Sequence, residues 1–329
     1  MMHMFKRVPR FLLACLLLMA MAEMAGAQIR LRFAHTIAPE DSQHLAVVEF
    51  AKRVAEKTNG ALQIDTFPSG QLGNDPKLLE GIKLGTIDMG MTGNPFFSAF
   101  APEMNVLDLP YLFLDYDHVY KVVDGPIGTE ILRAVEKNGM KGLGSLEIGF
   151  RDLTNSKHPV KVPEDMKGLK IRTTPNPAHM EAFRLLGANP VPMPFTEVYL
   201  ALKTGTVDGQ ENPITLIEAM KFYEAQKYMS LTHHAYTVTN VVMNLKKYQE
   251  LKPEYQKALH EALHEAAVWQ RRLDREIEGR ALMKMKAAGL QVEEKPDVEA
   301  FRKVVADAVA EDYVKKFGRE TLDKIRNAK

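Results

Sequence analysis

A seven-residue pattern that occurs twice limits the folds open to this chain more than any other feature. Ile82-Lys83-Leu84-Gly85-Thr86-Ile87-Asp88 is matched by Leu202-Lys203-Thr204-Gly205-Thr206-Val207-Asp208. Each copy is followed within a few residues by Asn-Pro, at Asn94-Pro95 and Asn212-Pro213. Each follows a short predicted helix, which Gly85 or Gly205 ends in the left-handed cap that glycine adopts without a Cβ penalty. Each then leads into an extended segment. Two units of like build are implied, each ending a strand in a polar loop. Ligands of open α/β sheets lie beyond the carboxyl ends of the strands, so two such units face to face would share one cleft.

The rest of the pattern agrees with an α/β class. Ile29 to Ala34 alternates as a strand. A helix is predicted from about Gln43 to Thr58, with Leu45, Val48, Ala51 and Val54 or Ala55 as its apolar stripe, and Asn59-Gly60 stops it. Ala61 to Phe67 reads as a second strand and Pro68-Ser69-Gly70 as a turn, which completes a βαβ unit. From Pro253 to about Ala288 runs one long helix, ended by Gly289, with Leu259, Leu263, Ala266 or Ala267, Leu273 and Ile277 as its stripe. At about 1.5 Å per residue it approaches the diameter of a domain. It is long enough to lie along both units, with Gly279 a place for a mild kink. A last helix, about Asp297 to Phe317, closes the chain.

The first residues read as an export signal. Lys6, Arg7 and Arg10 precede an apolar run from Phe11 to Ala22, and Ala25-Gly26-Ala27 supplies the small-x-small cleavage pattern. The run is short of the roughly 20 residues of a membrane span. Cleavage is expected after Ala27. It removes Cys15, the single cysteine, so the mature chain must rely on a packed core rather than on disulfides. It also removes three basic residues and one acidic one, which moves the formal charge from +1 to −1. A near-neutral chain without basic runs argues against nucleic acid as a partner.

Catalytic constellations are hard to find. His260-Glu261-Ala262-Leu263-His264 matches the zinc-protease pattern, because histidines four apart share a helix face. They share it with Gln256, Arg271 and Arg275, however, which predicts a solvated flank rather than the shaped cavity a catalytic zinc needs. His233 and His234 are adjacent on a strand-like run and point to opposite faces. No P-loop, G-x-G-x-x-G or G-x-S-x-G is present. Two arginines stand out instead. Arg172 ends the strand-like Gly168 to Arg172, and Arg151 follows the strand-like Gly142 to Ile148. Both fall at strand exits, where a cleft would lie, with Asn212 in a tight turn nearby. A guanidinium offers a planar fork matched to a carboxylate.

Several blocks together resemble one family. Pro194-Phe195-Thr196-Glu197-Val198-Tyr199-Leu200-Ala201-Leu202 followed by Val207-Asp208-Gly209-Gln210-Glu211-Asn212-Pro213 is similar to the signature of TRAP transporter substrate-binding proteins of the DctP type. Phe222 to Tyr228, Pro68 to Gly73 and Gly168 to Arg172 agree with it. The resemblance covers essentially all of the mature chain. It implies a two-lobed periplasmic binding protein fold, with a ligand cleft between the lobes and a long base helix. Lobe one would hold residues 28–148 plus 238–277, and lobe two residues 149–237 plus 278–329.

By the same resemblance, Arg172 takes the position of the arginine that pairs with the ligand carboxylate. Arg151 takes that of a second arginine, Asn212 that of an asparagine at the same carboxylate, and Phe195 that of an aromatic packed on the ligand. Asp75 falls where sialic acid binders place a ligand-contacting aspartate. Gly93 and Phe96 stand where those binders carry glutamate and arginine, which argues against sialate. His35 and Asn94, at strand exits of lobe one, are added as hydroxyl contacts. Gly149 to Asn155 is similar to members that bind sugar acids such as uronates, so a sugar acid is favoured, with a C4-dicarboxylate next. The implied partners are a small and a large membrane subunit driven by an ion gradient. No cofactor or metal is expected, nor an ATP site, and the chain is expected to be a periplasmic monomer and not an enzyme. A binding protein feeding a sensor kinase would use the same fold.

Overall fold

The computed structural model describes residues 28–328; the expected leader, its cleavage site and Cys15 lie outside the described residues. The first unit is β1 (Ile29–Ala34), α1 (Ser42–Lys57), β2 (Leu62–Phe67), α2 (Asp75–Leu84) and β3 (Met89–Gly93). After α3 (Tyr116–Val123) and α4 (Pro126–Leu132) comes the long β4 (Met140–Asn155). The second unit is β5 (Lys170–Thr173), α5 (Pro177–Leu185), β6 (Asn189–Pro192), α6 (Val198–Lys203) and β7 (Gly209–Asn212). The chain ends with α7 (Ile214–Ala219), the long β8 (Tyr228–Asn244), α8 (Leu245–Glu250), α9 (Pro253–Ala287), β9 (Gln291–Glu293), α10 (Val298–Phe317) and α11 (Glu320–Arg326).

The nine strands of the described residues join one sheet, ordered β2-β1-β3-β8-β4-β7-β5-β6, with β9 beside β8. The order is near-symmetric about its centre. β1 lies parallel to β2 and β3, and β5 lies parallel to β6 and β7. β3 meets β8 antiparallel, and β7 meets β4 antiparallel. β4 and β8 pair from Met140↔Asn244 to Asn155↔Tyr228, so two strands run through both units. Their register shifts between Glu147 and Gly149, where Gly149 has φ 121°, a left-handed value that favours glycine.

The duplicated pattern has a physical meaning in this sheet. Gly85 and Gly205 take φ of 78° and 70°. The Ile87 and Val207 amides return to the carbonyls of Gly81 and Ala201. Asp88 Oδ2 accepts from the Arg32 amide of β1 at 2.7 Å, and Asp208 Oδ2 accepts from the Lys170 amide of β5 at 2.9 Å. Each aspartate thus fastens its loop to the first strand of its own unit. Two glycines follow from close approach of strands. A Cβ on Gly90 would lie 2.4 Å from the Ala34 carbonyl oxygen, and one on Gly209 would lie 2.2 Å from that of Thr154.

Three expectations about helices are corrected. α1 turns Ala46, Val47, Phe50 and Val54 inward and leaves Leu45 and Val48 36% and 46% exposed, so its buried stripe is out of phase with the one expected. α9 buries Leu259, Ala262, Leu263, Ala266 and Ala267, but then continues inward with Gln270, Arg271 and Asp274 rather than Leu273. Of the flank expected to be solvated, Arg271 is buried, while Arg275 and His264 stay exposed. Arg271 pairs with Asp124 at 2.5 and 2.8 Å and lies over the Tyr120 ring, while Arg275 pairs with Glu147 and lies over the Tyr116 ring. Gln270 bonds both the amide and the carbonyl of Glu147, at 3.0 and 2.8 Å. Finally, α10 is followed by a further short helix, α11, rather than closing the chain. No helix among the described residues is long and apolar enough to cross a membrane.

Candidate carboxylate-binding cleft

One cleft lies where the two units face each other, and residues from both line it. It holds about 440 Å³ of atom-free space, its mouth included. Three charged side chains belong to its lining: Asp75, Arg151 and Arg172. Hydroxyls come from Thr36, Thr92, Thr174, Thr237 and Thr239, and apolar surface from residues such as Met91, Phe96, Ile148 and Phe195.

Arg172 sits on β5, 1% exposed. Its Nε and Nη2 donate to the Met193 carbonyl at 3.3 and 2.7 Å. Among the described residues no carboxylate lies within the 4.0 Å of a salt bridge. Burial lowers its pKa to about 10, against the opposing pull of Glu211. The group remains charged at neutral pH, with Glu211, Asp75 and Glu197 acting on it only from beyond salt-bridge distance. An isolated buried charge is costly unless something pairs with it.

Arg151 differs sharply. β4 and β7 pair so that Asp152 faces Asn212 and Leu153 faces Glu211, which lays the Arg151 side chain along β7. Its Nε pairs with Glu211, and its Nη2 reaches Glu211 Oε1 at 2.9 Å and Asn212 Oδ1 at 2.9 Å. Nη1 lies 3.4 Å from the Thr237 hydroxyl. Glu211 is completely buried, and His234 Nε2 stands 3.1 Å from its Oε2, the oxygen that Arg151 Nε also holds. Burial alone would raise the Glu211 pKa, but the charge of Arg151 and the hydrogen bonds from His234 and Arg151 hold it below the usual carboxylate range. Arg151 and Glu211 therefore form an internally neutralised pair.

Asp75 is the first residue of α2, whose N-terminal backbone favours an anion. Its Oδ1 accepts from Thr36 at 3.0 Å and from Thr92 at 2.6 Å, while its Oδ2 is buried without a partner. Burial raises its pKa, although the two hydroxyls, its own backbone amide and the charge of Arg172 act against this. Phe195 is buried edge-on to Phe222, at the start of the short turn Phe195–Glu197.

The cleft thus brings together Arg172, Arg151, Asn212, Phe195 and Asp75 from the expected set. His35 and Asn94 are placed elsewhere. His35 is fully buried, 3.1 Å from His44, and accepts from the Ile37 amide at 3.2 Å; burial and the neighbouring His44 lower its pKa to about 3. Asn94 spends its amide on the Met104 carbonyl and Asp108 and its oxygen on Asn240, all within 2.9 Å. Both are strand-exit residues committed to internal bonds. Sequence reasoning missed the roles of Glu211 and His234 and of the threonines. Glu211 stood inside the Gly209–Pro213 block, but its partner lies 60 residues earlier. His260 of the zinc-like pattern uses one ring nitrogen on the Leu143 carbonyl at 2.8 Å and the other on the Tyr248 hydroxyl at 3.0 Å, and His264 is exposed.

A nine-stranded sheet of two matching α/β units, with an uncompensated buried arginine between them, defines a solute-binding protein of the two-lobed type. The chain belongs to the DctP family, described as bacterial extracellular solute-binding protein, family 7, whose profile matches residues 33–316. It is a TRAP transporter solute-binding protein. It is 44% identical over 285 residues to the 2,3-diketo-L-gulonate-binding periplasmic protein YiaO of Escherichia coli K12, covering 87% of each chain. A TRAP periplasmic solute binding protein from Polaromonas sp. JS666, bound to D-erythronate, matches with a TM-score of 0.88 at 37% identity, covering 91% of this chain and 99% of that one. The sugar acid binding protein DctPAm from Advenella mimigardefordensis, in complex with galactonate, matches with a TM-score of 0.87 at 33% identity, covering 92% and 97%.

Proposed function

We propose that this protein captures a small sugar acid from the periplasm, closes around it, and delivers it to the small and large membrane subunits of a TRAP transporter without chemical change. The single observation that carries this reading is Arg172, a buried guanidinium in a cleft with a backbone carbonyl as its protein partner and, among the described residues, no carboxylate within salt-bridge distance. A ligand carboxylate supplies the missing counter-charge. Asn212 and Arg151 stand beside it as supporting contacts, Phe195 offers its ring to the carbon chain, and the threonines and Asp75 suit hydroxyls. The relatives' diketogulonate, erythronate and galactonate are all acids of this kind. In this reading the leader is cleaved after Ala27, the mature chain works as a monomer, and no cofactor takes part.

A thermal-shift screen of aldonates, uronates, keto acids and dicarboxylates identifies the ligand. A ligand that binds only the folded form raises stability by about 2.7 kcal/mol at 100-fold excess over its Kd. Calorimetric titration then tests the clamp. Arg172→Lys keeps the charge but loses the planar fork. Disrupting a buried, hydrogen-bonded charge pair costs roughly 2–5 kcal/mol, so Arg172→Lys binds at least about tenfold more weakly while melting, without ligand, within a few degrees of wild type. Equal affinity would make Arg172 an ordinary structural arginine and remove the anion site from this position.

A further inference from the structure

The charged groups of the cleft are unequally partnered, and the inequality specifies the ligand further. On the lobe-two side Arg172 is a cation without a carboxylate partner, whereas the charge of Arg151 is already met by Glu211. Arg172 is therefore the guanidinium of the cleft that no carboxylate of the described residues holds in a salt bridge, while Arg151 is committed to Glu211. On the lobe-one side Asp75 is 2% exposed. The Thr36 and Thr92 hydroxyl hydrogens are both spent on its Oδ1, and Oδ2 keeps its lone pairs without a donor in the protein. Buried acceptors in native proteins almost always find a donor, and one left bare costs about 1–3 kcal/mol. A ligand hydroxyl is a donor of the right kind. A ligand carboxylate is not, because it has no hydrogen to give at neutral pH.

We infer that Asp75 fixes the ligand's charge class: the cleft takes an acid with one carboxylate, at Arg172, and a hydroxyl group that donates to Asp75 Oδ2, and it excludes a second carboxylate. This inference rests on the carboxylate site proposed above and adds that four-carbon dicarboxylates are rejected.

The test titrates wild type, Asp75→Asn and Arg172→Lys with galactonate, D-erythronate, galacturonate and succinate. The expected wild type binds at least one of the hydroxy acids and binds succinate at least about 100-fold more weakly than the best of them. Asp75→Asn, which turns a bare acceptor into an amide, weakens that hydroxy acid at least about tenfold and narrows the gap to succinate. On wild type alone, the best binder's deoxy analogue, butanoate for D-erythronate, binds at least about tenfold more weakly; this arm stands even where Asp75→Asn fails to fold. Wild type that prefers succinate, or hydroxy-acid binding untouched both by Asp75→Asn and by loss of the hydroxyls, overturns the inference. If Arg172→Lys weakens every ligand while Asp75→Asn weakens none, the charge-class inference alone falls. If wild type binds nothing in the panel, or Arg172→Lys binds normally, the carboxylate site itself falls, and this inference with it.

Discussion

Glu211 and Asp274 are both carboxyls sealed from water, and their surroundings move them in opposite directions. Glu211 has Arg151 and His234 against it and is held below the usual carboxylate range despite its burial. Asp274 on α9 is pushed up to about 8 by burial, with Ser42 opposing and the charges of Glu147 and Asp41 adding to the rise. The consequences for stability have opposite signs. Glu211 contributes stability that is present above its unfolded value and is lost as pH falls below the ordinary carboxylate range. Asp274 keeps a proton in the fold that it loses in the unfolded chain, so stability falls as pH rises from about 4 to about 8. Asp274→Asn removes that second dependence. Its melting temperature should differ little from wild type near pH 5 and exceed it by several degrees near pH 8, at roughly 2–4 °C per kcal/mol. Parallel pH profiles for the two proteins would show that Asp274 is ionised throughout. At this scale the sequence made Arg172 and Asn212 legible, because strand exits before turns are visible in one dimension. Glu211 was not legible as the partner of Arg151, since that contact exists only once β4 and β7 align.

The elements follow from local chemistry where the chemistry is local. The duplicated loops could be read because Gly85 and Gly205 must be left-handed and Asp88 and Asp208 tie them to nearby strands. The phase of α1 could not. Leu45 and Val48 make as good a stripe as Val47 and Phe50 on paper, and only packing against the sheet and α9 decides between them. The inward polar turn of α9 was hidden for a related reason. Gln270, Arg271 and Asp274 read as solvent-facing until Glu147, Tyr120 and Asp124 arrive to meet them. Gly209 gives the sharpest test of an element. With a Thr154 carbonyl 2.2 Å from where its Cβ would sit, Gly209→Ala must push β7 away from β4. The expected loss is about 1–3 kcal/mol or more of stability, together with weaker ligand binding, because the same ladder sets Arg151 and Asn212. Chemical denaturation and calorimetry measure both. Wild-type stability in Gly209→Ala would mean that the two strands have slack there.

For the whole molecule, the two-lobed architecture was legible from the repeat and the resemblance, whereas the path of the sheet through both halves was not. The proposed division, residues 28–148 plus 238–277 against 149–237 plus 278–329, cuts β4 and β8 at the facing pair Gly149 and Thr237. There the register shifts and Glu147 is held to α9 by Arg275 and Gln270, so bending at this point would move one unit against the other while α9 keeps its grip on the pivot. Hinge closure around a ligand is the motion such a construction permits. Small-angle X-ray scattering of wild type and Arg172→Lys, each with and without the best ligand of the screen at a concentration that saturates wild type, tests capture and closure together. The account predicts a smaller radius of gyration for wild type on adding ligand, and a distinctly smaller contraction in Arg172→Lys at a ligand concentration just sufficient for wild type. A wild-type profile that stays the same at saturation, or an Arg172→Lys protein that contracts as readily as wild type, would contradict it.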